Sequence, residues 1–309
     1  MSLHPVVVTG AGGFVGRHLI AHLAASGLDV RPTFRRDAPP GGVVLDDQAS
    51  DAALRAALAG AGAVVHLAGR AHRVSEAPGA KAAAFDAINR DWPIRLAAAA
   101  AAEGVRHFLF VSTIGVHGQA GMVSRDSPLV PGTPYAVSKA EAEAGLRDSF
   151  PGNLVVLRPP LVVGPAAPGN LARLAKLAAG PWPLPLGALE NRRSLLSVQG
   201  LCRAVEVVLR GWNAGANLTG AYTLADAQPI STGGMVAAIR AGMGRPPRLL
   251  PVAPRLLGWG LRLARQGGLS SQLLGDLIVD SAAFQRDFDW QPEADSVGAL
   301  RALGASWKG

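Results

Sequence analysis

The 309-residue sequence predicts an α/β fold, a doubly wound, parallel Rossmann sheet with a smaller mixed α/β unit towards the C-terminus. Three observations carry that expectation. Val6-Val7-Val8-Thr9 runs straight into Gly10-Ala11-Gly12-Gly13, and Phe14, Val15, Leu19, Ile20 and Leu23 follow at helical spacing, so the chain opens as strand, tight turn and helix. Short β-branched runs then alternate with Ala/Leu helical patterns, as a parallel sheet requires. Hydrophobic residues make up 49% of the sequence, enough to bury a full core and too many for a disordered chain.

The opening turn reads as a dinucleotide cradle. Gly10, Gly13 and Gly16 lack a Cβ, so the backbone can turn sharply, approach a pyrophosphate and seat the helix on the strand, while the helix N-terminus presents free N–H groups to the phosphates. Residues 28–34 form the second strand, whose end meets the adenosine ribose; an NAD site carries an acid there. Phe34 holds that place and Arg35-Arg36 follow, which favours a 2′-phosphate and hence NADP(H), with NAD(H) as the alternative. Residues 43–45 are a third strand, 50–59 a helix, 63–67 a fourth strand, and 78–103 a long Ala-rich helix that Gly104 stops.

A fifth strand, 107–111, enters Ser112-Thr113-Ile114-Gly115-Val116-His117-Gly118, and Thr113 thus falls at the carboxyl end of the sheet, where such folds place the ligand crevice. Tyr135 and Lys139 open the next helix four residues apart, on one face. A phenol with a pKa of about 10 is a poor acid at neutral pH; a cation one turn away stabilises the phenolate by about 1.4 kcal/mol per pKa unit. Thr113 would donate to a substrate oxygen. Residues 155–157 are a sixth strand leading into Arg158-Pro159-Pro160, residues 222–224 a further strand, and 171–179, 200–210 and 231–243 helices.

Gly-x-x-Gly-x-x-Gly after Thr9, the Tyr135/Lys139 pair and the turn from Arg158-Pro159 to Gly164-Pro165 resemble the extended short-chain dehydrogenase/reductases, the epimerase/dehydratase group, over residues 9 to about 299. The resemblance implies a catalytic set of Thr113, Tyr135 and Lys139. Around the cofactor it implies Gly10, Gly12, Gly13, Phe14, Val15, Arg35, Arg36, Asp46, Asp47, Leu67, Ala68, Gly69, Asn89, Tyr135, Lys139 and Pro159, with Asn89 bracing the active-site strand. Around a UDP-sugar substrate it implies Thr113, His117, Tyr135, Asn170, Leu186 and Arg193. Two departures stand out: His117 replaces the family's usual Tyr, which would alter the sugar pocket, and a second Arg expected near Gly275 is absent, with Gln272 in its place.

Pro183-Leu184-Pro185-Leu186-Gly187 and Asn191-Arg192-Arg193-Ser194 resemble the nucleotide-sugar 4-ketoreductases and 4-epimerases of the UDP-N-acetylquinovosamine type. The implied reaction is NADPH-dependent reduction of a UDP-4-keto-6-deoxy-N-acetylhexosamine, Tyr135 giving the proton. A UDP-hexose 4-epimerase using NAD is the alternative, and a non-catalytic NADP sensor a third, which has no need of an intact Tyr135. The expected units are 1–165 with about 190–226 for the cofactor, and 166–189 with 227–309 for the nucleotide sugar; residues 78–103 and the Tyr135 helix would form a homodimer interface.

Composition excludes other classes. The single Cys202 lies in an apolar helical pattern and permits no disulfide framework. His18 and His22 lack a third ligand for a metal, and no nucleophile elbow is present. The formal charge of +8 rests on arginines dispersed along the chain without interleaved aromatics, which suits anionic small ligands rather than nucleic acid. No apolar run suits a signal peptide or a membrane insertion, and the amphipathic 249–265 reads as a packed lid or domain helix, with a membrane-surface helix as the alternative, so a cytoplasmic protein is expected.

Overall fold

The computed structural model describes residues 5–70, 85–118, 120–257, 274–292 and 296–308. Numbered along the chain, its strands are β1 (Val6–Thr9), β2 (Val30–Phe34), β3 (Val43–Val44), β4 (Ala63–His66), β5 (His107–Val111), β6 (Gly121–Val123), β7 (Asn153–Arg158), β8 (Leu161–Val163), β9 (Leu195–Ser197), β10 (Gly220–Thr223) and β11 (Leu277–Val279). The α-helices are α1 (Phe14–Ala25), α2 (Asp51–Leu58), α3 (Trp92–Ala102), α4 (Pro134–Ser149), α5 (Asn170–Ala179), α6 (Val198–Asn213), α7 (Thr232–Gly242), α8 (Ala282–Phe288) and α9 (Ser296–Ala305).

Seven strands form one sheet in the order β10-β7-β5-β4-β1-β2-β3, every pair parallel. β1 lies inside it and is buried along its whole length, which is why Val6-Val7-Val8 is continuously apolar instead of alternating. Its residues still face opposite ways: Val6 and Val8 join the core with Leu19, Leu109 and α6, whereas Val7 joins the core with Leu54, Leu96 and Phe108. Strand order reverses between β1 and β4, and this places a crevice at their carboxyl ends, beside the paired Thr9 and His66.

A third core gathers Leu171, Ala175, Leu186, Val236, Ile239 and Leu300, and Phe14 packs against both it and the α1 face of the sheet. Two small parallel pairs, β8 with β9 and β6 with β11, join this unit to the sheet. The segment 280–290, expected in the second unit, instead sends Phe284, Phe288 and Trp290 into the first core, where the two Phe rings lie 5.6 and 5.1 Å from that of Tyr222.

The expected single helix over 78–103 is not what forms in its described part. Asp86–Asp91 is a π-turn that runs into α3, and residues 78–84 lie outside the described residues. Asn89 lies within this turn and is 1% exposed. Of the 249–265 segment only 249–257 is described, with helix at 254–257; the remainder and Gln272 fall outside the described residues.

Candidate functional site

The Gly-rich turn comes so close to β4 that a Cβ on Gly10, whose φ is +74°, would lie 2.8 Å from the Ala68 nitrogen. Gly16 is equally constrained: a Cβ there would sit 2.2 Å from the Gly10 oxygen. Two glycines thus lock β1, α1 and β4 together. Gly12 and Gly13 remain exposed on the rim of a cleft of ≈ 310 Å³. Of the residues expected around the cofactor, Gly10, Arg35, Asp46, Asp47, Leu67, Ala68 and Gly69 line it, together with Thr9, Thr33, Phe34, Leu45, Ile88 and Trp92. A cradle of bare backbone with a guanidinium at its β2 end fits a dinucleotide. Arg36 is exposed and does not line the cleft. The side chains of Phe14 and Val15 pack into the cores, which leaves them only backbone to offer a ligand.

Beyond Gly69 the cleft meets the helix that carries the catalytic candidates. A Cβ on Gly69 would lie 3.3 Å from Asn89 Oδ1 and 3.4 Å from Lys139 Nζ. Asn89 accepts from the Arg70 N–H at 2.8 Å and donates to the Arg70 carbonyl at 3.1 Å and to Ser138 Oγ at 3.3 Å. It therefore braces the loop after β4 and helix α4, not the active-site strand. Thr133 caps α4 by accepting from Ala136 N–H, and Pro134 occupies the first turn, where its missing donor costs nothing.

Lys139 donates from Nζ to the Val111 carbonyl at 2.9 Å and stands 4.3 Å from the Phe110 ring centre. Burial pulls its ammonium down to about 7, against a partial lift from Glu143. Tyr135 meets Phe85 edge-on at 6.2 Å, and burial pushes its phenol up to about 12. Before any ligand arrives, then, the phenol is not held in the easily ionised state that a neighbouring cation would give it. Thr113 Oγ1 accepts from Gly115 N–H at 3.1 Å, an arrangement that keeps its own O–H available to a substrate oxygen. Pro159 is buried beneath this turn, its carbonyl accepting from Ile114 N–H at 2.8 Å.

His117 corrects an expectation. It is buried, accepting from Arg158 Nη1 at Nε2 (3.0 Å) and donating from Nδ1 to the Pro128 carbonyl (3.2 Å). Both ring nitrogens are engaged away from a sugar pocket. Arg158 is itself paired with the fully buried Glu143, Nη2 to Oε2 at 2.5 Å, and Glu143 also accepts from Ser112 Oγ at 2.5 Å. Burial, then the Arg158 charge, holds the imidazole below its ordinary pKa, so it stays neutral and can accept. The network fastens the Thr113 strand end, the Lys139 helix and β7 to one another.

The expected substrate contacts are distributed unevenly. Asn170 is exposed at the first residue of α5. Leu186 is buried in the third core, which leaves only its backbone for a ligand. Arg193 is half-buried; its Nη1 donates to the Gly275 carbonyl at 2.9 Å and its backbone pairs with Ile230. Burial lowers its guanidinium, an effect Asp276 opposes.

The model of the NAD dependent epimerase/dehydratase family matches residues 6–221. A UDP-glucose 4-epimerase of Vibrio cholerae is 28% identical over 306 residues, covering 93% of this chain and 90% of the relative. Among solved structures, a UDP-N-acetylglucosamine 4-epimerase from Bacillus cereus superposes with a TM-score of 0.78 at 16% identity, covering 99% of this chain and all of the other. RMD from Pseudomonas aeruginosa complexed with NADPH gives 0.72 at 23% identity, covering 99% and 100%. Both superpositions show the fold.

Proposed function

The chain belongs to the NAD dependent epimerase/dehydratase family, and from that premise we propose that it is an NADPH-dependent nucleotide-sugar 4-ketoreductase acting on a UDP-4-keto-6-deoxy-N-acetylhexosamine. The observation that carries the reading is Arg35 in the cleft lining at the end of β2, next to Phe34 where an acid would select NAD. Of Arg35 and Arg36, only Arg35 lines the cleft, and the charge match to a 2′-phosphate rests on it.

When bound, the nicotinamide supplies hydride to C4 of the ketone. Tyr135 gives its phenolic proton to O4, and the phenolate regains one from solvent; C4 gains a hydride and O4 a proton, which balances the reduction. Thr113 polarises the carbonyl through its free O–H. Lys139 stabilises the phenolate and holds the nicotinamide ribose, and Arg193 offers a planar fork to the diphosphate.

A UDP-hexose 4-epimerase using tightly held NAD is the second reading, favoured by the Vibrio cholerae relative. A homodimer through α3 and α4, and a cytoplasmic setting, go with either. The test combines UDP-N-acetylglucosamine, a 4,6-dehydratase and this protein, following NADPH absorbance and product NMR. Consumption of NADPH with a 6-deoxy-N-acetylhexosamine product supports the reductase. No consumption, with interconversion of UDP-glucose and UDP-galactose without added cofactor, overturns it. Arg35→Ala should weaken NADPH about tenfold or more and leave NADH unchanged.

A further inference from the structure

We propose that one face of the second unit docks on an anionic membrane surface. The arginines are dispersed along the sequence, but the acids that balance them are not. Residues 166–189 and 227–275 hold Arg173, Lys176, Arg240, Arg245, Arg248, Arg255, Arg262 and Arg265 and no Asp or Glu, so these two segments carry a charge equal to the formal +8 of the whole chain. Everything else is electrically balanced.

The fold brings the described parts of these two segments together. Leu184 N–H donates to the Arg248 carbonyl at 3.0 Å, and Leu250 N–H to the Leu184 carbonyl at 2.8 Å. Arg240, 1% exposed, reaches across to the carbonyls of Ala178 (2.9 Å) and Trp182 (2.9 Å), tying down the end of α5 and the loop after it. Arg245 donates to the Ala179 carbonyl, and Arg248 to that of Pro181 at 3.1 Å.

On this stiffened scaffold Trp182 is 77% exposed, with Leu177 and Leu250 each at 49%. Trp92, Trp212 and Trp290 are all at 5% or less, so the exposure of Trp182 is a local feature. Arg173, Lys176, Leu177 and Trp182 share one shallow pocket of ≈ 390 Å³. An indole and leucines projecting among cations match the headgroup zone of a bilayer, where an amphipathic ring and aliphatic tips enter and anionic lipid neutralises the charge. A nucleic-acid surface would carry polar groups in place of Leu177 and Leu250. None of the helices among the described residues is long and apolar enough to cross a membrane, so the contact is peripheral.

The test sediments the purified full chain with vesicles of phosphatidylcholine alone or with one quarter phosphatidylglycerol. Binding to the anionic vesicles, released by 0.5 M salt, is expected. The double variant Arg173→Ala/Lys176→Ala, at two exposed positions, should bind about 25-fold more weakly, at about fivefold per basic residue. Arg286→Ala, 73% exposed on α8 outside these segments, should bind as wild type. Brominated phosphatidylcholine in the anionic vesicles should quench tryptophan emission more strongly in the wild type than in Trp182→Phe. Absence of binding to anionic vesicles, an equal loss in Arg286→Ala, unchanged quenching in Trp182→Phe, or preference for a single-stranded oligonucleotide over the vesicles would each overturn the proposal. Activity on soluble UDP-sugar without vesicles should be untouched in the double variant, so failure here is distinguishable from failure of the catalytic reading.

Discussion

Tyr135 and Lys139 are four residues apart on one helix, and that covalent nearness is why a catalytic pair could be read from the sequence at all. Tyr135→Phe should fold, bind cofactor and lose about 10²- to 10⁴-fold in turnover, because only a proton donor is removed; steady-state rates beside a cofactor titration check it. Lys139 makes a different prediction. Its ammonium falls from 10.5 to about 7 on folding, so between those values the unfolded chain binds the extra proton and stability rises with pH. Below pH 7 both states are charged and the full penalty of burial is present. Lys139→Met should therefore show its greatest stability relative to wild type at or below pH 7, and that difference should shrink steadily towards pH 10.5, as read from urea midpoints. A difference that stays constant over this range would remove burial of the charge from the account. By contrast, Glu143, Arg158 and His117 were illegible as a network: they come from a helix, a strand and a turn, and only the folded sheet brings them within hydrogen-bond reach.

At the scale of elements, strand, turn and helix were legible wherever one periodicity ran unbroken. β1, α1, β4 and β5 formed within a residue or two of the expected bounds for this reason. The π-turn at Asp86–Asp91 was not legible, since a widened turn leaves composition unchanged while altering which side chain faces inward. Ile88 and Asn89 lie within it and Trp92 directly follows it. Packing between elements was legible only in the glycines. Gly16→Ala would drive its Cβ against the Gly10 oxygen and within 2.8 Å of Ala11 Cα, backbone that cannot yield without opening the turn. We expect it to lower stability by about 1–3 kcal/mol and to weaken cofactor binding, measured by urea unfolding and cofactor titration. Gly27→Ala, where nothing lies within 4 Å but φ is +73°, separates the two causes: it should cost stability and leave the cofactor affinity intact.

For the molecule as a whole, α3 and α4 pack so closely that a Cβ on Gly145 would overlap Ile94, and their outer sides show Ala98 and Val137 to solvent. If the proposed homodimer uses those sides, light scattering at micromolar concentration should give twice the chain mass, and Ala98→Glu with Val137→Glu should halve it; a wild-type monomer would end the idea. The sheet order has a consequence for how such a chain is made. β1 is synthesised first yet bonded on both sides, by β2 and β4, so its half of the sheet can assemble early. β7 must wait for β10, whose residues 220–223 leave the ribosome long after residue 158. Until then β7 presents an unpaired strand edge at the side that β10 later covers. A chain stalled short of residue 220 should be the species that chaperones hold and proteases cut.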